Sequence, residues 1–93
     1  MDQRIPVAQV ITALRRVRVR QGENGVALLA LAQQAELLIG EDRFVSKTAI
    51  DIKNDALQLR RAGESVPRFV VEDLLEESIA RLQQAEILAA GLR

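Results

Sequence analysis

The sequence predicts an all-α protein, a four-helix bundle-like single domain with a long C-terminal amphipathic helix. Its 93 residues fit one domain, which we place over residues 1–93. The chain is 48% hydrophobic and 28% charged, which is typical of globular proteins. Apolar residues recur at intervals of three and four in four segments, and breaks that contain glycine separate these segments. A chain of this length buries about 60–65% of its unfolded surface, which is enough for one core.

The first two segments differ in how far their apolar surface extends. The first helix is predicted over 6–17, with Pro6 as its first residue, because the N–H that proline lacks would be unsatisfied there. Its apolar residues share one face: Val7, Val10, Ile11, Leu14 and Val17. The second helix is predicted over 26–39, ends at Gly40, and is apolar nearly all round. Such a helix is normally covered on several sides, so we expect it at the centre of the bundle.

The third and fourth segments complete the bundle. The third helix is predicted over 46–62, with Ser46 as its cap and Gly63 at its end. The fourth is predicted over 67–90 and would be roughly 35 Å long. Its apolar seam alternates four and three residues apart: Val71, Leu75, Ser78, Leu82, Ala85, Ala89 and Leu92. Three more residues widen the seam: Leu74, Ile79 and Leu88. A seam of this width favours a bundle over a two-stranded coiled coil.

The composition excludes most catalytic chemistry. The chain has no His, Cys, Tyr or Trp, so the commonest general base, metal ligand and thiol nucleophile are missing. No glycine-rich phosphate loop occurs either. We therefore predict that the protein is not an enzyme and has no catalytic, cofactor or metal site. The longest apolar run, 26–32, falls far short of the roughly 20 residues that span a bilayer, and no signal peptide is visible. We predict a cytoplasmic protein without membrane contact.

Charge is balanced overall but unevenly distributed. There are 13 basic and 13 acidic residues. Residues 1–21 contain one acid, Asp2, and five arginines: Arg4, Arg15, Arg16, Arg18 and Arg20. Residues 64–80 contain one base, Arg68, and five acids: Glu64, Glu72, Asp73, Glu76 and Glu77. The two patches either attract each other, within one chain or between chains, or stay apart as solvated faces.

Each patch has a second interpretation. Glu72 and Glu76, four residues apart, have the spacing to bind a divalent cation or to act as an acid/base pair. We favour the simpler interpretation, that acids early in a helix stabilise its positive end. The arginines of the basic patch would contact phosphates or an acidic partner protein. We favour a simpler interpretation of these arginines over nucleic-acid binding. They would form the solvated end of the first helix, where cations interact favourably with the helix dipole.

A short stretch resembles a known DNA-binding motif. The segment Val45-Ser46-Lys47-Thr48-Ala49-Ile50 resembles the start of the recognition helix in helix-turn-helix and winged-helix domains. The segment 59–64, followed by Val66 and Pro67, looks like the helix end and turn that precede a wing. The resemblance covers residues 26–70 and implies a DNA-binding transcriptional regulator. The residues it implies for DNA contact are Ser46, Lys47, Thr48 and Lys53.

Our leading hypothesis is a helical protein-protein interaction module: an adaptor, an inhibitor or an assembly component. A central helix that is apolar all round and a long helix that is half apolar expose more apolar surface than this chain can cover. We therefore expect it to form a homo-oligomer, most simply a dimer, and to bind a protein partner. Two groups of residues are candidates for partner binding. The first is four arginines of the basic patch: Arg15, Arg16, Arg18 and Arg20. The second is Phe69 and Ile87, which share an azimuth on the fourth helix outside its main apolar arc. DNA binding is the alternative.

Overall fold

Four helices form in the predicted order. The computed structural model describes residues 6–40 and 42–91, and no strand occurs among them. The helices are α1 (Val7–Arg15), α2 (Asn24–Glu36), α3 (Arg43–Ala62) and α4 (Arg68–Gly91). A single 3₁₀ turn, Gly63–Ser65, connects α3 to α4. The all-α prediction is confirmed, and the helices pack into one bundle.

Helix α1 is shorter than predicted at both ends. Pro6 has φ −62° and ψ 141°, which is extended backbone, so it precedes the helix and is not its first residue. The prediction for Pro6 is therefore wrong. At the other end the Arg18 guanidinium donates hydrogen bonds to the carbonyl oxygens of Arg15, at 2.8 Å, and Val17, at 3.3 Å. Because carbonyls at a helix end lack partners inside the helix, Arg18 stabilises this end. Four of the five residues predicted for the buried face are buried in α1: Val7, Val10, Ile11 and Leu14. The fifth, Val17, lies beyond the end of the helix and is half-buried against the core.

Helix α2 lies at the centre of the bundle, as its apolar sequence predicts. It packs against each of the other three helices. Its buried apolar residues are Ala27, Leu28, Leu31, Ala32 and Ala35. Its start is fixed by Asn24, which is only 4% exposed and whose Nδ2 donates a hydrogen bond to the Val66 carbonyl oxygen at 2.7 Å. The start of α2 therefore lies beside the turn that leads into α4.

Helix α3 begins before the predicted position because a different residue caps it. Asp42 Oδ1 accepts hydrogen bonds from the backbone N–H groups of Phe44, at 2.9 Å, and Val45, at 3.3 Å. The prediction that Ser46 caps this helix is wrong. Ser46 Oγ accepts a hydrogen bond from the Gly40 amide at 3.1 Å and so stabilises the preceding turn. Gly63, with φ 68°, ends the helix as predicted.

Helix α4 buries the predicted seam. Its buried residues are Val71, Leu75, Ser78, Leu82, Ala85 and Ala89. Leu92, the last predicted seam residue, lies outside the described residues. Leu74 and Ile79 are half-buried beside the seam, whereas Leu88 is 46% exposed. The described helices include none with the length and apolar character that a membrane crossing needs.

The only polar residue of the α4 seam is unfavourable for stability. Ser78 is fully buried, and its hydroxyl has no hydrogen-bond partner in the described part of the chain. An uncompensated buried hydroxyl costs about 1–3 kcal/mol. We expect Ser78→Ala to raise the free energy of unfolding by about 1 kcal/mol in urea denaturation. Ser46→Ala is the control, because it changes the same residue type in a helix where the hydroxyl is hydrogen-bonded. An unchanged or lower stability for Ser78→Ala would contradict the expectation.

Candidate functional site

One end of the bundle collects arginine side chains. Because α2 starts beside the turn before α4, this end holds the starts of α2 and α4 and the ends of α1 and α3. We call it the basic end, and its arginines are Arg15, Arg16, Arg18, Arg20, Arg60, Arg61 and Arg68. All of them are exposed. Net charge alone, which is zero, does not reveal this clustering of arginines. One of them, Arg68, forms an ion pair with Glu72, with Nε 3.7 Å from Oε1.

The predicted basic patch lies partly against the acidic run of α4 within the same chain. Its four described arginines form no ion pair with any described carboxylate. Arg15 and Arg18 line a cavity of about 290 Å³ together with Glu72 and Glu76. Arg16 and Arg20 do not line it. Asp2, Arg4 and the Glu64 side chain, which complete the two charged segments, lie outside what the structure describes.

The acidic run of α4 is divided between two sides of the helix. Glu72 and Glu76 line the cavity next to α1, whereas Asp73 and Glu77 face α3. Successive residues of a helix are about 100° apart, so adjacent acids point toward different neighbours. The first turn of α4 contains no acid, and the effect of the helix dipole falls off within that turn. Our favoured interpretation, stabilisation of the helix start, therefore does not account for this run.

A groove lies between the second half of α3 and the first half of α4. We call it the acidic groove, and its volume is about 530 Å³. Its apolar lining residues are Leu59, Ala62, Val70 and Leu74, and its polar ones are Asp55, Gln58, Asp73 and Glu77. The Arg81 guanidinium crosses from α4 to α3, with Nη1 3.4 Å from Asp55 Oδ2 and Nη2 3.8 Å from Asp51 Oδ2. Sequence reasoning missed this groove, because it depends on how α3 and α4 are rotated against each other.

The two apolar candidates on α4 are exposed at opposite ends of its outward face. Phe69 is 62% exposed and Ile87 is 64% exposed. They are five helical turns apart, about 27 Å along the axis. Other large hydrophobic residues are exposed elsewhere on the surface: Val26, Leu37, Ile39, Ile50 and Leu88. The described bundle therefore retains exposed apolar side chains on α2, on α3, on α4 and at the turn after α2.

The four residues that the DNA-binding resemblance implies differ in their contacts within the described structure. They are Ser46, Lys47, Thr48 and Lys53. Lys47 Nζ lies 3.3 Å from Asp51 Oδ2 in the same helix, and Lys53 Nζ lies 3.1 Å from Glu36 Oε1 of α2. Thr48 is half-buried, and the Ser46 hydroxyl is engaged at the preceding turn. DNA binding stays a prediction.

Neither a search for metal-binding groups nor a comparison with known proteins identifies a function. Within residues 6–40 and 42–91, no group of three or more acidic side chains is arranged to hold a metal ion. A scan against protein-family models and searches of the curated proteins and of the solved structures found no match to this chain. The function is therefore inferred from the surfaces described above.

Proposed function

We propose that this protein is a small non-enzymatic helical interaction module, an adaptor, an inhibitor or an assembly component, that forms a dimer through the outward face of α4. The observation that carries the proposal is the exposure of Phe69 and Ile87 on a bundle whose core is formed by other residues. Removing apolar surface from water stabilises an association by about 25 cal/mol per Å². The absence of His, Cys, Tyr and Trp from the sequence supports a non-enzymatic role.

An antiparallel pairing of two α4 helices fits this face best. In a two-fold dimer the same surface of both copies is used, so Phe69 of one copy packs against Ile87 of the other. This register sets Glu76 of one copy opposite Ala80 of the other, so Glu76, the acid nearest the line between Phe69 and Ile87, does not lie opposite a second carboxylate. A parallel pairing would set the two acidic halves against each other, which is unfavourable.

The dimer is tested by sedimentation velocity over a range of concentrations. We expect the double variant Phe69→Ser/Ile87→Ser to raise the dimer dissociation constant by about tenfold or more, because burying one such side chain contributes about 1.5–3 kcal/mol. Both residues are exposed in the single chain, so thermal unfolding followed by circular dichroism should change little.

The matched control removes two exposed hydrophobic residues from α2 and the turn that follows it. Val26 is 67% exposed and Leu37 is 45% exposed. We expect Val26→Ser/Leu37→Ser to leave the dissociation constant unchanged within about twofold. A strict monomer at high micromolar concentration would contradict dimer formation. An equal loss in both double variants would contradict the assignment of the interface to α4.

A further inference from the structure

We infer that the acidic groove between α3 and α4 binds a basic amphipathic helix of a partner protein. This inference rests on the proposed function as an interaction module and adds the chemistry of the partner. The groove is separate from the outward residues Phe69 and Ile87, neither of which lines it. The dimer face and the groove can therefore be tested independently.

The apolar part of the groove is suited to helix binding. Leu59, Val70 and Leu74 are half-buried, so their exposed portions line the space between the two helices. The volume of about 530 Å³ lies within the range of about 300–1000 Å³ found for ligand sites. An amphipathic helix binds such a groove by inserting apolar side chains spaced three and four residues apart. The lining thus provides a contact surface for aliphatic residues of the partner.

The carboxylates of the groove determine the charge of the partner. Asp73 and Glu77 are four residues apart on α4 and form no ion pair with a described Lys or Arg. Arg81 is placed four residues after Glu77, the usual spacing for a helix ion pair, but its guanidinium instead bridges Asp51 and Asp55 of α3. Two like charges therefore face an apolar groove without compensation. A Lys or Arg flanking the inserted apolar residues would neutralise them.

The same observations disfavour a second copy of this chain as the occupant. The basic segment of the chain includes Val17 and Val19, the aliphatic side chains that could enter a groove. Val19 is only 9% exposed and belongs to the core, and Val17 packs against that core. Inserting them into another copy would remove them from their own bundle. A nucleic acid is disfavoured because its phosphates would be repelled by Asp73 and Glu77.

The test is a titration of the full chain into a fluorescently labelled synthetic helical peptide, followed by fluorescence anisotropy. The peptide has leucines three and four residues apart, flanked by arginines. A second peptide replaces each arginine with glutamate. We expect the basic peptide to bind, its affinity to fall as salt is raised, and the acidic peptide not to bind. No binding of the basic peptide, or equal binding of both peptides, would overturn the inference.

Two double variants of α4 localise the binding. We expect Asp73→Asn/Glu77→Gln to weaken binding of the basic peptide about tenfold or more, because both groove carboxylates are neutralised. Glu72→Gln/Glu76→Gln makes the same change of charge on the side that faces α1, and we expect at most an about twofold effect. Equal weakening in the two variants would show attraction to net charge alone and would overturn the inference.

Two further measurements distinguish a partner helix from a second copy of this chain, and the groove from the dimer face. If a peptide of residues 13–21 of this chain binds as tightly as the synthetic peptide, a second copy becomes the occupant and the stated partner is wrong. The variant Phe69→Ser/Ile87→Ser should bind the basic peptide as the wild type does. Failure of peptide binding with dimer formation intact would remove the groove inference and leave the proposed function standing.

Discussion

Replacing Leu28 with alanine is expected to lower the free energy of unfolding by about 2–5 kcal/mol. Leu28 is fully buried in α2, which packs against each of the other three helices, as α4 also does. Removing its side chain leaves a cavity between several helices, and these cannot all move inward to close it. A domain of this size has a total stability of about 5–15 kcal/mol, so the loss is a large fraction of it. Urea denaturation followed by far-ultraviolet circular dichroism measures the effect.

The neighbouring leucine is the control for this substitution. Leu29 lies in the same helix but is only half-buried. Leu29→Ala makes the same change of helix propensity and removes the same atoms, so the difference between the two variants reports burial alone. We expect Leu29→Ala to cost clearly less than Leu28→Ala. Equal losses would contradict the central position of α2.

Replacing Asn24 with alanine is expected to lower the free energy of unfolding by about 1–3 kcal/mol. The variant removes the donor that bonds the Val66 carbonyl oxygen and leaves this part-buried acceptor unpaired. It also releases the start of α2 from the turn before α4. The same denaturation experiment measures the loss.

An aspartate at this position separates the hydrogen bond from side-chain size. Asn24→Asp keeps nearly the same shape, but an ionised carboxylate accepts hydrogen bonds and cannot donate one to the Val66 carbonyl. We therefore expect Asn24→Asp to lose at least as much stability as Asn24→Ala at neutral pH. Wild-type stability in both the alanine and the aspartate variants would show that the bond contributes nothing.

The sequence is sufficient to predict the buried face of α4 because a helix has one fixed period. The spacing of Val71, Leu75 and Ser78, continued along the segment, places them on one face whatever the neighbouring helices are. The same rule identifies the central helix from its lack of a polar side. Both predictions depend on helix geometry and hydrophobicity alone, and both agree with the structure.

The start of α3 and the acidic groove could not be predicted from a local sequence pattern. Asp42 and Ser46 are both good cap residues, and the choice between them depends on the fold of the preceding turn, where the Gly40 amide engages Ser46. Asp55 and Asp73 line the same groove because α3 and α4 are rotated to face each other. Periodicity gives the angle between side chains on one helix, but not the rotation of one helix relative to another.

The order of contacts along the chain also has a consequence for folding. Each helix packs against the helix that follows it, whereas the contact of α1 with α4 joins the two ends of the sequence. Contacts between sequence neighbours form fastest, because they close the shortest loops. Arg81 of α4 is therefore expected to reach Asp55 of α3 early in folding. Glu72, on the opposite side of α4, gains its α1 neighbours only when the whole chain has assembled.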